Sequence, residues 1–226
     1  MFAMSPVVIV HGAYHRPAHY DALADRLRAR GAHVVVPDVG GLPLPESTRR
    51  LQAVVDDLAQ PPIVVGHSFG GAAAGAMVGA AHIVFLTAWV LDVGETCTLL
   101  LREAAGRGGG EAFVTALRPS ADGSIFTIDP AQAIDLFYGD CSPGDAERAV
   151  GLLRADIAAN FDLAPTAAYW HDTPSTYVIA TQDRTWPASL PPIFAARCTR
   201  TVTMPTSHSP FLSRPGEITD LILRSA

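Results

Sequence analysis

A serine flanked by glycines, Gly66-His67-Ser68-Phe69-Gly70, stands directly behind the apolar run Ile63-Val64-Val65 and ahead of Gly71-Ala72-Ala73-Ala74-Gly75-Ala76-Met77. The β-branched run reads as a buried strand, and the small residues read as a helix lying close against a sheet. A serine on the sharp turn between them is forced into strained backbone. The residues two before and two after it must be almost atomless for the turn to close. This is the setting of a nucleophile elbow, and the chemistry it serves is attack of a hydroxyl oxygen on a carbonyl carbon. A glycine-rich turn without function can carry the same letters; the strand–turn–helix context separates the two.

Such a serine needs a base, an acid that orients the base, and an oxyanion hole. With an elbow of this kind the chain order is serine, acid, histidine. Thr176–Ala180 reads as a strand with Asp183 just past its C-terminal edge, and Thr199–Met204 as the next strand, followed by His208 in Pro205-Thr206-Ser207-His208-Ser209-Pro210. Groups that do chemistry in parallel α/β sheets lie outside the carboxyl ends of strands. The expected set is therefore Ser68 as nucleophile, His208 as base and Asp183 as acid. Asp92, after the strand His82–Ala88, is the rival acid, and either aspartate could instead cap a turn.

The oxyanion donors should be the amide of Phe69, next to the nucleophile, and that of Ala13, in the loop after the first strand Val7–Val10. Gly12 lets that backbone approach the substrate. His11, His15 and His19 recur every four residues, the spacing of ligands on a helix face. Gly12 and Pro17 break such a helix, and no carboxylate or cysteine stands nearby at zinc-site spacing, so no metal is expected. His11 and His15 are expected to hold the oxyanion loop by hydrogen bonds, and His19 to lie at the surface.

The motifs His11-Gly12-x-x-His15, Gly66-His67-Ser68-Phe69-Gly70-Gly71, Thr181-x-Asp183-x-x-x-Pro187 and His208-Ser209-Pro210 together resemble the α/β-hydrolase superfamily. More narrowly, they resemble the small branch that holds plant methyl-ketone and methyl-salicylate-type esterases and hydroxynitrile lyases. The likeness runs in order along nearly the whole chain and is weakest over residues 100–170. It implies the same roles for Ser68, Asp183, His208, Ala13 and Phe69, and no cofactor. Two departures bear on the chemistry. The lyases carry threonine at the place of Gly12, and a lysine that stabilises departing cyanide at the place of Ser209. The resemblance therefore implies ester hydrolysis rather than cyanohydrin cleavage.

The elements that must position these residues alternate along the chain, which implies a parallel sheet. Pro17 opens a helix to Arg30, Val34–Val36 is a second strand, and Ser47 caps a helix with Leu51, Val54, Val55 and Leu58 on one face. Pro215 opens a last helix with Ile218, Leu221 and Ile222 inward. The expected fold is an α/β-hydrolase fold with about six mainly parallel strands and helices on both faces. At 226 residues the chain reads as one domain, 1–226. Residues 95–170 interrupt the alternation as a mainly helical cap: a helix over Thr98–Ala105, a break at Arg107–Gly110, a short strand over Ser124–Ile128, and helices opened by Asp129-Pro130 and Ser142-Pro143.

Composition excludes several classes of function. Lys and Arg number 16 against 22 Asp and Glu with no basic run, which argues against nucleic acid or anionic membranes as partners. Cys97, Cys141 and Cys198 are too few and too scattered for a disulfide framework and read as reduced thiols of a cytoplasmic protein. The first strand begins too early to leave room for a signal peptide. The expected partner is a small molecule, and the sequence leaves oligomeric state open, a homodimer included. Gly12, Tyr14, His15, Trp89, Phe137 and Trp186 are candidate substrate contacts, with Tyr138 and Phe211 as further aromatic candidates, and no basic cluster marks an anionic substrate. Three other readings share the scaffold: a lyase, epimerase or cyclase with His208 as general base, an amidase or thioesterase, and a catalytically silent ligand-binding module.

Overall fold

The computed structural model describes residues 4–104 and 109–225. Its main sheet takes strands β1 (Val7–Val10), β2 (Val34–Val35), β3 (Ile63–His67) and β4 (His82–Leu86). Three short strands follow, β5 (Leu117–Pro119), β6 (Ile125–Ile128) and β7 (Asp156–Ile157), before the sheet resumes with β8 (Ser175–Ala180) and β9 (Arg200–Met204). The helices are α1 (Asp21–Ala29), α2 (Leu44–Asp56), α3 (Gly70–Gly75), α4 (Cys97–Ala104), α5 (Glu111–Ala116), α6 (Pro130–Phe137), α7 (Pro143–Leu152), α8 (Leu190–Ala196), α9 (Pro210–Ser213) and α10 (Pro215–Leu223).

Six strands pair in the order β2-β1-β3-β4-β8-β9, every pair parallel. Strands covered on both faces should be apolar without alternation, and β1 (Val7, Val8, Ile9, Val10) is. Its even residues pack with Val64, Ile83 and Phe85 on one side of the sheet, and its odd residues with Val65, Val84 and Leu86 on the other. Helix α10 buries Ile218, Leu221 and Ile222 on the second side, as the sequence predicts. The strand order reverses between β1 and β3, and such a switch point opens a crevice beyond the strand ends.

Two helix starts differ from expectation. Ser47 does not cap α2: the helix begins at Leu44, and the buried Ser47 hydroxyl donates to the carbonyls of Val39 and Leu42 in the incoming loop. Pro17 opens a 3-10 turn to Tyr20 before α1 begins at Asp21. Asp129 and Ser142 do cap α6 and α7, accepting from Ala131 N at 3.0 Å and Asp145 N at 3.2 Å.

Between β4 and β8, helices α4–α7 are joined by an antiparallel sheet in the order β5-β6-β7, more strand than the single short one read from the sequence. Its pattern is hard to read because β6 has two exposed residues, one half-buried and only Ile128 buried, and β7 spans two residues. Part of the break expected at 107–110, and Ala105 at the end of α4, lie outside the described residues. The C-terminal part of the insert is fastened to the loops of the main sheet. Asp156 Oδ2 accepts from Tyr14 N at 3.3 Å, Asn160 Oδ1 accepts from Leu44 N at 2.9 Å, and Arg154 pairs with Asp38.

Candidate active site

Three non-glycine residues adopt positive φ among the described residues: Tyr14 at 66°, Ser68 at 50° and Thr87 at 41°. Each lies just past the C-terminal end of one of three neighbouring strands, β1, β3 and β4. Such backbone costs on the order of 1–3 kcal/mol per residue and is most adverse for a β-branched residue. Its concentration at one edge of the sheet marks the place where geometry is bent for a purpose.

The elbow glycines allow the turn. A Cβ at Gly70 would lie 2.4 Å from the Val10 carbonyl oxygen, so α3 can start against β1 only without one. A Cβ at Gly12 would meet the Ser68 Cβ at 2.9 Å, which brings the loop after β1 directly onto the serine. Ala13 and Phe69 thus flank the switch-point crevice. Neither backbone amide has an acceptor among the described residues. Phe69 is buried and Ala13 half-buried beside the slot, so both amides are free to meet a bound oxygen.

His208 Nδ1 donates to Asp183 Oδ2 at 2.6 Å, with both side chains buried. The other carboxylate oxygen accepts from the Thr185 amide at 2.8 Å and the Thr185 hydroxyl at 2.6 Å, while Thr87 Oγ1 donates to Oδ2 at 2.6 Å. Trp186 Nε1 in turn donates to Thr87 Oγ1 at 3.0 Å. Burial alone would raise the Asp183 carboxyl. The His208 charge and the hydrogen bonds from His208, Thr185 and Thr87 outweigh it and leave the group below its usual value. An ionised acceptor on Nδ1 fixes the imidazole tautomer and leaves Nε2 as the proton-accepting nitrogen. No hydrogen bond joins Ser68 Oγ to His208 among the described residues; such contacts tighten when a substrate orders the hydroxyl.

Asp92, the rival acid, is turned away. It accepts from Val93 N at 2.8 Å and meets His171 Nε2 at 3.1 Å at the surface, the turn-capping alternative read from the sequence.

Behind the serine lies a buried group of imidazoles. Gly12 N donates to Tyr20 Oη at 3.2 Å, Tyr20 Oη donates to His67 Nδ1 at 2.7 Å, and His67 Nε2 donates to the His208 carbonyl at 2.9 Å. His15 Nδ1 donates to Ala13 O at 2.9 Å and accepts the Tyr138 hydroxyl on Nε2 at 3.1 Å. His11 Nδ1 donates to Gly12 O at 2.9 Å. Burial first, then the neighbouring histidines, push the His15 and His67 imidazoles well below the usual range.

His19 corrects the sequence reading. It is buried rather than at the surface: Nδ1 accepts from Arg16 N and Nε2 donates to the Ala149 carbonyl of α7 at 3.0 Å. The insert covers it, and burial lowers its pKa to about 4. The burial depends on a chain segment 130 residues away, which no local pattern reveals.

Ser68 and His208 open onto one slot, together with Ala13, Phe69 and Thr185. Of the predicted contacts, Tyr14, Trp89, Phe137 and Trp186 line it. Gly12 and His15 instead lie behind the lining, as do Tyr138 and Phe211. Leu101, Phe113 and Phe161 complete the wall and were not singled out in the sequence, where they look like ordinary apolar positions of the insert. The slot is tight, with a cavity volume of about 30 Å³. It is a narrow, mainly apolar slot that Ser68, Thr185 and His208 also line.

Residues 7–221 match the Alpha/beta hydrolase family, and the chain belongs to that family. It is 26% identical over 249 aligned positions to "Alpha/beta hydrolase nvfD" of Aspergillus novofumigatus, covering 97% of this chain and 96% of that one. It is 25% identical to a pyrethroid hydrolase of Sphingobium wenxiniae, covering 97% of this chain and 86% of the relative. Among solved structures, polyneuridine aldehyde esterase superposes with a TM-score of 0.83 at 17% identity, over 98% of each chain, a likeness of fold.

Proposed function

We propose that this protein is a serine esterase that cleaves small, neutral, partly apolar carboxylic esters through an acyl-serine intermediate. The observation that carries the reading is the buried 2.6 Å bond between His208 Nδ1 and Asp183, in a slot that the strained Ser68 also lines. In the proposed reaction His208 Nε2 takes the Ser68 proton as Oγ attacks the ester carbonyl, and Asp183 stabilises the imidazolium. The amides of Ala13 and Phe69 hold the oxyanion, each contributing ~3 kcal/mol in sites of this kind. The imidazolium returns its proton to the leaving alcohol, and a water deprotonated by His208 then releases the acid.

Several features favour ester hydrolysis over the other readings. The place after His208 is Ser209, not a cation that would stabilise cyanide, and a threonine at position 12 would collide with Ser68 in this backbone. Among the described residues the slot presents no Lys or Arg, which suits an uncharged substrate. The insert of residues 95–170 serves as the cap that excludes water from the acyl-enzyme. A small-molecule substrate, no cofactor and a cytoplasmic setting belong to the same reading. The described helices include none long and apolar enough to cross a membrane.

Substitutions separate the hydrolase from its rivals. Ser68→Ala and His208→Ala should each lower ester turnover by at least about 10³-fold with the far-UV circular dichroism unchanged. Activity that survives Ser68→Ala but not His208→Ala would replace the esterase reading with general-base chemistry of the lyase or cyclase kind. Ligand binding without turnover would replace it with a receptor.

A further inference from the structure

Leu101, Phe113 and Phe161 line two spaces at once. One face of this wall closes the slot at Ser68, and the other closes an outer cleft of about 590 Å³ between α4, α5 and the β5–β6 hairpin. The outer cleft is apolar beyond the wall, with Val114, Leu117 and Phe126 along it, and Asp162 is its only charged residue among those described.

The wall is built asymmetrically. Phe161 is held from two sides: it stacks on Phe69 at a ring separation of 5.8 Å, and its neighbour Asn160 is bonded to Leu42 and Leu44 at the edge of the core. Phe113 and Leu101 come from α5 and α4, which no side-chain hydrogen bond ties to the loops of the main sheet among the described residues. Phe113 meets Phe161 at 5.9 Å through apolar contact alone. Gly109, just before α5, is bridged to Pro187 in the loop after β8, and Phe113 also meets the Tyr14 ring at 6.2 Å, so the wall opens by rotation of the Phe113 and Leu101 side chains rather than by movement of the helices.

Orientation follows from the proposed chemistry, on which this inference rests. His208 must protonate the leaving oxygen, so the alcohol part lies toward His208 and its ring neighbours Phe137 and Trp186. The acyl part then extends the other way, past Phe69 to the wall. We infer that the outer cleft is an acyl subsite: a medium-length, uncharged alkyl or arylalkyl acyl chain passes between Phe113 and Phe161 and lies along Val114, Leu117 and Phe126. Asp162 in the cleft disfavours an acyl chain that ends in a carboxylate.

The test uses p-nitrophenyl esters from acetate to decanoate on the whole chain, with fluorophosphonate labelling of Ser68 run in parallel. Once the chain is long enough to pass the wall, kcat/KM should rise by roughly fourfold per added methylene, as expected for burial of each CH₂. Ala159→Trp, at an exposed residue lining only the outer cleft, should lower octanoate and decanoate turnover by about tenfold and leave acetate unchanged. Phe113→Ala should raise turnover of branched or aryl acyl groups relative to acetate. Labelling of Ser68 with a flat chain-length profile, or a profile that Ala159→Trp leaves unaltered, would overturn the subsite while leaving the hydrolase reading in place. Failure of Ser68 to label would overturn both.

Discussion

At the scale of residues, the site is organised around where protons and lone pairs are allowed to go. Asp183 receives four hydrogen bonds, from His208, Thr87 and twice from Thr185, so its carboxylate is held in place rather than merely near the imidazole. Removing its charge should be far more costly than removing that of Asp92. Asp183→Asn leaves a group that can donate toward His208 and favour the wrong tautomer, and kcat should fall by about 10⁴-fold. Asp92→Asn, at the surface, should leave kcat within about twofold. Equal losses in the two variants would refute the assignment of the acid. The placing of Ser68, Asp183 and His208 just past strand ends, with Asp183 and His208 in contact, was legible in the sequence because turn chemistry is local: glycines at fixed offsets, a carboxylate or histidine just past a β-branched run. Thr87 was not, since nothing in Phe85-Leu86-Thr87-Ala88 announces that this threonine turns to positive φ and bonds an aspartate 96 residues away.

At the scale of elements, the ends of five of the six strands carry the residues of the candidate site, and the insert lines its other side. The parallel sheet was readable because doubly covered strands write themselves as unbroken apolar runs. The insert was read less completely, because its strands are short and half exposed and owe their pairing to tertiary contacts. The same holds for the slot wall of Leu101, Phe113 and Phe161, whose positions on α4, α5 and the turn after β7 become neighbours only on folding. One fastening between insert and sheet is open to measurement. Arg154 bonds Asp38, donates to His11 Nε2 at 3.2 Å, and through its amide meets the Tyr14 carbonyl at 2.9 Å. Its hydrogen bonds hold the Asp38 carboxyl well below the usual carboxylate range. Arg154→Ala should lower Tm by about 2–4 °C, the effect of losing about 1 kcal/mol in a chain of this size. An unchanged Tm would show that the bond does not fasten the insert.

At the scale of the whole molecule, the buried imidazoles give stability a definite pH dependence. Burial is the first cause that depresses His11, His15 and His67 and brings His19 to about 4, against an ordinary value of 6.5. As pH falls through 6.5 the unfolded chain takes up these protons and the folded chain does not, so unfolding is favoured by acid. Stability should be at its plateau above about pH 7 and fall as pH drops through 6.5, with the His19 share of the loss continuing to about pH 4. Urea midpoints measured across that range, with His19→Gln reducing the slope, would check this; a flat midpoint would contradict it. The three cysteines are free, and burial raises the thiols of Cys198 and Cys141 to about 11 and 12, which makes them poor rivals to Ser68 as nucleophiles.

The central claim is that Ser68 is an activated nucleophile, and intact mass after exposure to a fluorophosphonate tests it most directly. One adduct is expected on the wild-type chain, none on Ser68→Ala, and a strongly slowed reaction on His208→Ala. A folded wild-type protein that gains no mass, or an adduct that persists in Ser68→Ala, would contradict the claim.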